Sequence, residues 1–563
     1  MAAILVAATA AVYGQVYRFD FLVFDDPAYV SENRHVLAGL TTGGIRWAFT
    51  TIHDSNWIPL TWLSLMADAS AYGTWAGGYH LTNLLLHVAN VLLVFAAFRH
   101  MTGNMGRSAF VAAVFAIHPL HVESVAWIAE RKDVLSLFFG FVSLNAYLAY
   151  RKDRHGVWLV SSWLGFVCSL LAKQTLVTLP FVLLLLDFGA IGRWQFERIG
   201  RLIFEKIPFF VASAVFCTVT LVAQSHGKSM RPLTSMPLAG RCLNAVAAYG
   251  LYVFRAVFPT RLAPFYPFPD ANQLTLLAVL SMAFLCTATW FCVVHARKRP
   301  LVLVGWLWFL GALVPMIGLV QIGGQQTADR YMYFPAIGLY AAAAWLVPGV
   351  FATRPIPAWL RPVAAIALVA TYAGLTTFQL GYWHDSVTLF RHALAVTDDN
   401  ALSRLALGSA LLEHGQCDEA IVHLKKAAEL DPDDGQVHFV LGSGFQQADR
   451  PREAAAEYRK SLALNERNGS AHNNLGLILY QQRRPAEARS ELLRAIELDE
   501  TDKRALVNLA LLTSDLHEYE NSIDYCRRAL ALDPGLDVYL RLIAVARGVQ
   551  PRLAETSPNG GFN

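Results

Sequence analysis

Two adjacent carboxylates, Asp25 and Asp26, follow a short apolar run, 21–24, near the start of the chain. Neighbouring acids repel, so one of such a pair keeps a raised pKa and is suited to take a proton at neutral pH. Asp before Pro27 equally reads as a solvated turn. Further on, His118-Pro119-Leu120-His121-Val122-Glu123 is followed by Glu130-Arg131-Lys132-Asp133. His118 and His121 can share a helix face, but Glu123 is rotated well off it, so a three-ligand metal site is not implied. These groups, with Glu130, read as hydrogen-bonding walls of a site. Arg131 and Lys132 suit a phosphate, or an ordinary interfacial charge cluster. In the 325–333 segment Arg330 offers a planar fork matched to phosphate oxygens, unless Asp329 claims it to close the loop. Tyr331 and Tyr333 fit an aromatic belt at a membrane surface.

These groups need elements to hold them, and the composition says which kind. The 563 residues are 55% hydrophobic and 16% charged, with a mean hydropathy of +0.38. Only 15 of the 42 acids precede residue 385, which separates a membrane body from a soluble tail. Apolar stretches recur at 2–16, 80–98, 108–127, 134–150, 157–172, 174–191, 207–224, 274–295, 301–320, 334–351 and 362–381. Each is close to the length that spans a bilayer as a helix. The first is a signal peptide or, in the favoured reading, a retained anchor. On the second, His80, Asn83, His87 and Asn90 form one polar stripe, which must face the bundle interior, as interhelical hydrogen bonds or toward a substrate.

Orientation follows from the basic connections at 99–107, 151–154, 193–206 and 297–299, which fall on one side. The stretch 242–258 contains Arg255 and reads as interfacial or re-entrant, because counting it as a span would put later basic loops on the wrong face. About eleven spans result, with the N-terminus inside and the C-terminus outside. Most acids of the body then lie at the outer face, beside a long outer loop, 17–79, that carries Trp47, Trp57 and Trp62. Lys173 and Gln174 read as outer-edge residues, and Asp187 as a cap at the inner end.

A net charge of +4 without a basic, aromatic-interleaved block excludes a nucleic-acid binder. Seven scattered cysteines give neither a disulfide framework nor a zinc site. The sequence demands no cofactor; a divalent metal is neither required nor ruled out.

The tail repeats with a period of 34, visible at Leu407-Gly408, Leu441-Gly442, Leu475-Gly476 and Leu509-Ala510. Ala420, Ala454, Ala488 and Ser522 keep the same step. This is the pattern of tetratricopeptide (TPR) repeats, pairs of antiparallel helices with small residues at close approaches. The expected organisation is all-α: a helical membrane domain over 1–382, a half-repeat cap over 383–400, four repeats over 401–536, and a capping helix with a disordered tail over 537–563.

Together these strings resemble the transmembrane and TPR-containing (TMTC) family of the GT-C glycosyltransferase superfamily. The matching passages are Phe24-Asp25-Asp26, Trp57-Ile58-Pro59-Leu60-Thr61, the stripe at 80–90, the 118–133 and 173–187 segments, Asp329-Arg330-Tyr331 with Pro335, and 383–390. The wording at 118–133 and 262–269 is similar to bacterial relatives, whereas Ile58 departs from the polar or basic residue usual there. The resemblance implies a bacterial inner-membrane enzyme with its repeats in the periplasm. It would transfer a sugar, typically mannose, with inversion, from a polyprenyl-phosphate donor to a protein hydroxyl at the outer face. It makes Asp25 or Asp26 the base, places Arg330, Arg131 and Lys132 on the donor phosphate, and lines the site with His80, His87, His118, His121, Glu123, Glu130, Asp329 and Tyr331. The repeats would hold the acceptor polypeptide or a partner. Two other readings compete: a non-enzymatic TPR scaffold in the membrane, and a lipid-linked glycan transferase or ligase with a non-protein acceptor.

Overall fold

Pro119 decides the shape of the membrane body. The helix Met105–Ile117, capped by the Asn104 side chain on Arg107 N–H at 3.0 Å, stops at His118 because proline can neither donate its amide nor fit the preceding turn. The chain resumes as 119–126 at an angle of 54°. A break at membrane depth frees carbonyls, and these must be paired inside the protein. The polar stripe on the neighbouring helix Ala76–Thr102 does so: His87 Nε2 lies 3.0 Å from Ala116 O, and Asn83 Nδ2 donates to Val125 O and Trp127 O at 3.3 and 3.0 Å. Asn90 donates to Val134 O at 2.9 Å, and Thr376 donates to Ile117 O at 2.6 Å. The stripe therefore serves interhelical hydrogen bonding.

The computed structural model describes residues 1–189, 199–226, 237–320, 323–350, 357, 359–398, 400–533 and 535. Among them the architecture is all-α, with isolated bridges at His53–Asn56 and Tyr266–Thr327 and no strand. Each expected apolar stretch carries a helix. Among the described residues, five helices are long and apolar enough to cross a bilayer alone, six if the bent pair counts as one; others, such as Gly156–Ala172 and Pro300–Met316, are shorter. The stretch 242–258 is one unbroken helix, Leu238–Val257, so it has no turn of the kind a re-entrant segment needs. The expected capping helix and tail lie outside the described residues.

Helix Arg131–Asp153 is the upright of the body, about 34 Å long at 1.5 Å per residue. Small residues seat it on Gly156–Ala172. A Cβ at Gly165 would stand 3.1 Å from Ser143 N, and Ser136 meets Ser169 at 3.1 Å. Charge clusters mark its two ends. At the far end Asp187 binds Lys206 at 2.6 Å and Arg151 at 3.1 Å, so it sits in a buried ionic network with Tyr147 and Glu205. The near end holds the candidate site.

Two compact units result, Met1–Asp398 and Asp399–Asn563. Helix Ser386–Val396 is fastened within the first: Ser386 Oγ accepts from Val23 N–H at 3.0 Å, and His392 Nε2 lies 3.0 Å from Leu262 O. Among its described residues the second contains four helix pairs, from Ala401–Glu413 with Cys417–Leu430 to Lys503–Asp515 with Tyr519–Leu532. Side chains of Asn400, Asp434, Asn468 and Asp502, each 34 residues on, cap the first helix of each pair. Glycine in the Leu-Gly repeat is a contact requirement: a Cβ at Gly442 would lie 2.8 Å from Tyr458, and at Gly476 2.7 Å from Leu492.

Candidate functional site

Glu130 gathers the charges. It ends the short turn Ile128–Glu130, which the bent segment delivers to the top of Arg131–Asp153. Its Oε1 lies 3.3 Å from Lys132 Nζ and 3.3 Å from Arg330 Nε, and its Oε2 lies 2.9 Å from Lys173 Nζ. Lys173 also binds Asp133 at 2.7 Å, while Lys132 donates to the Tyr29 hydroxyl at 3.2 Å. Arg330 pairs through Nη1 with Glu123, whose other oxygen accepts the Arg330 backbone N–H at 2.9 Å. The guanidinium lies over the Trp127 ring at 5.4 Å. Three carboxylates thus balance three cations. Each ammonium has three N–H donors and two assigned partners here, and Arg330 Nη2 has no hydrogen-bond partner among the described residues. With side chains 9–15% exposed, the cations can present these unused donors to an oxyanion.

The acid pair divides into two roles. Asp26 is fully buried, with Oδ2 accepting from Leu22 N–H and Oδ1 from Ala129 N–H, both at 2.9 Å. It stitches the first outer loop to the turn before Glu130. Burial pushes its carboxyl up to about 7 against the pull of those two N–H groups. Asp25 is partly buried, and its carboxylate accepts no hydrogen bond from the described residues. Burial pushes it up to about 6, with Lys132 and Arg330 pulling down and Asp54 and Glu130 pushing up. It is the carboxylate free to receive a proton beside the cations.

Several expected site residues lie elsewhere. Arg131 is wholly buried and spends its donors on Asp68 and Tyr79 O at 2.6 and 2.8 Å, on Ser64 at 2.8 Å, and on Asn83. It fastens helix Pro59–Tyr72 to the body with four of its five N–H donors, and its side chain has no exposed surface on which to meet a phosphate. Asp329 does not pair with Arg330; it accepts from the Tyr266 hydroxyl at 2.8 Å and lies 3.7 Å from Arg255. Tyr331 flanks the Arg330 guanidinium at 5.3 Å. His118 and His121 turn to Ala256 O at 3.0 Å and the Tyr340 hydroxyl at 3.2 Å, and His80 to Asp20 O at 3.4 Å. They brace helices behind the site. Among the described residues no group of three or more His, Cys, Asp or Glu is placed to hold a metal ion.

Lys173 and Tyr29 belong to the cluster without having been expected there. Glu130 and Asp133, three apart on one helix face, needed a cation from another element, and Lys173 follows an apolar helix that packs on theirs. In the second unit a polar ladder crosses the repeats: Tyr458 OH donates to Gln446 at 2.7 Å, Asn474 to Tyr458 at 3.1 Å, Asn473 to Asn474 at 3.1 Å, and Asn508 to Asn473 at 2.8 Å.

Fold and site define an all-α membrane protein with a charged centre at one end of its bundle, followed in the chain by a repeat array. Family models described as "Tetratricopeptide repeat" match residues 373–435, 439–503 and 503–536. Over most of its length the chain is similar to the TMTC proteins. It is 24% identical over 501 residues to human "Protein O-mannosyl-transferase TMTC1", covering 76% of this chain and 54% of that one. To human "Protein O-mannosyl-transferase TMTC4" it is 25% identical over 480 residues, covering 73% and 63%. A Drosophila melanogaster relative, "Protein O-mannosyl-transferase Tmtc1", is 24% identical over 516 residues, covering 72% and 58%. The chain thus spans little more than half the length of the relatives it matches.

Proposed function

We propose that this protein transfers a sugar, mannose by likeness to its relatives, from a polyprenyl phosphate to a hydroxyl of a polypeptide. Asp25 takes the proton of the acceptor hydroxyl as its oxygen attacks the anomeric carbon from the face opposite the phosphate. The bond from that carbon to the phosphate oxygen breaks, and the electron pair leaves with the phosphate, so the configuration inverts. Unused donors of Lys132, Lys173 and Arg330 meet the charge that develops there. The observation that carries this reading is a carboxylate, Asp25, that accepts no hydrogen bond from the described residues and lies beside Lys132 and Arg330, each of which keeps an unused N–H. Polyprenyl phosphate is already a good leaving group, so a base and fixed cations are the main requirements.

The TPR unit holds the acceptor polypeptide, and its amide ladder offers paired donors and acceptors suited to an extended backbone. The basic connections on one side support an orientation with site and repeats on the outer face, which for a bacterial inner-membrane protein is the periplasm. The test is transfer by the purified full chain in liposomes, from mannosyl polyprenyl phosphate to a serine- and threonine-containing polypeptide. The product linkage should be of the opposite anomer to the donor. Absence of any transfer, with donor and acceptor both bound, would favour the scaffold reading.

A further inference from the structure

The full repeats press their second helix onto their first at fixed steps. Leu424, Tyr458 and Leu492 follow one another by 34 residues, and a Cβ at Gly408, Gly442 or Gly476 of the paired first helix would lie 2.5, 2.8 and 2.7 Å from them, respectively. Four residues before each, the step is filled by a fully buried alanine, as at Ala454. One step before the array, helix Ser386–Val396 carries Ser386 at the alanine position and Phe390 at the other. Both meet residues 23–24 of the body where a full repeat would offer its first helix. Phe390 faces the Phe24 ring at 6.2 Å between centroids, and the Ser386 hydroxyl accepts the Val23 N–H at 3.0 Å.

Packing alone does not ask for that hydroxyl, since alanine fills the same step in the first three repeats. The segment ahead of the acid pair asks for it. Residues 19–22 are irregular, so their amides depend on partners from elsewhere. Asp20 N–H donates to His384 O at 3.1 Å, Leu22 N–H to Asp26 at 2.9 Å and Val23 N–H to Ser386, so 384–386 supplies two of these three acceptors. Asp25 comes two residues after Val23. Its carboxylate accepts no hydrogen bond from the described residues, so its place beside Lys132 and Arg330 depends on where its backbone is held.

We propose that the segment 384–390 seats the base, with Ser386 as a positioning residue for Asp25. The inference rests on the transfer reading above. Ser386 acts on the rate through the backbone of 20–24 and leaves substrate affinity alone.

The test uses the full chain in liposomes with two readouts, deuterium exchange of the 19–25 stretch and single-turnover transfer from mannosyl polyprenyl phosphate. Ser386→Ala introduces the residue that the first three repeats carry, so the helix keeps its packing while Val23 loses its acceptor. Exchange at 19–25 should rise, and transfer should slow on the order of tenfold with donor affinity unchanged. In an Asp25→Asn background the same substitution should cost less than about twofold further, because a positioning residue then has no base to position. Ser522→Ala is the matched control. Ser522 holds the same step in the fourth repeat, where its hydroxyl donates to Ala510 O at 2.8 Å, and its loss should leave both readouts unchanged. Unaltered exchange in Ser386→Ala would overturn the proposal, as would an undiminished rate or an equal fold loss in the two backgrounds. Raised exchange in Ser386→Ala, without transfer by the unsubstituted chain, would retain the seat and reject the enzymatic reading.

Discussion

Glu130 and Arg330 lie 200 positions apart in the chain, yet their Oε1 and Nε atoms stand 3.3 Å apart, with Glu123 closing the other side of the guanidinium. Arg330 is therefore both a phosphate candidate and the partner of two buried carboxylates. Arg330→Ala should lower stability by about 3–5 kcal/mol, because it leaves the buried Glu123 without its cation, while Glu130 keeps Lys132 and Lys173. Asp329→Ala should act through a separate network, leaving Tyr266 and Arg255 without their carboxylate, so its loss should add to that of Arg330→Ala instead of overlapping with it. Arg330→Lys, which keeps the charge but loses the fork, should weaken donor binding with a much smaller change in melting. Melting and donor titration on these variants and on the Arg330→Ala, Asp329→Ala double variant check this; a double variant no less stable than either single one would count against it.

Asp26 holds two backbone N–H groups, one on each oxygen. Asn has a single acceptor oxygen, so Asp26→Asn should leave one donor unpaired and cost about 1–3 kcal/mol. Its thermal denaturation should shift well before its turnover per folded molecule does.

The pH dependence of transfer should report Asp25. A general base works when deprotonated, so kcat/KM should rise through about pH 6 and level off above it. The Asp54 carboxylate pushes that value up, so Asp54→Asn should move the rising limb to lower pH. A limb that stays put would remove Asp54 from the neighbourhood of the base.

The repeat unit carries its own pH signature. Burial pulls the His472 imidazole down, but Glu491 at 2.6 Å and the Glu466 carbonyl at 3.0 Å outweigh it, and the net direction is up. A base with a raised folded pKa stabilises fully below its unfolded value of about 6.5 and loses that contribution as pH rises through the folded value. Denaturation followed across neutral pH should show the second unit weakening in that window. Glu491→Gln should flatten the slope.

Much of this was legible before any coordinates. The 34-residue step announced the repeats because each small residue in it answers a steric demand, as Gly442 does against Tyr458. The stripe from His80 to Asn90 was readable as buried, but not its purpose, which depends on carbonyls freed 26 or more residues later by Pro119. Arg131 and Lys132 could not be told apart by type or spacing. Adjacent residues at a helix start point in different directions, and one met Asp68 and Asn83 while the other met Glu130 and Tyr29. Lys173 read only as an outer-edge residue for the same reason, since its ion pairs follow from helix packing that brings 130, 133 and 173 together. The division of labour between Asp25 and Asp26 likewise needed the backbone of Ala129, 103 residues away from Asp26.

The proposed role of Asp25, which accepts no hydrogen bond from the described residues and lies beside Lys132 and Arg330, is to deprotonate the acceptor. Its most direct test is single-turnover transfer by Asp25→Asn, with saturating mannosyl polyprenyl phosphate and polypeptide, alongside donor binding and melting of the same variant. The account predicts a loss on the order of 10²-fold or more in the transfer rate, with donor affinity and stability close to those of the unsubstituted protein. Near-normal single-turnover transfer by Asp25→Asn would contradict it.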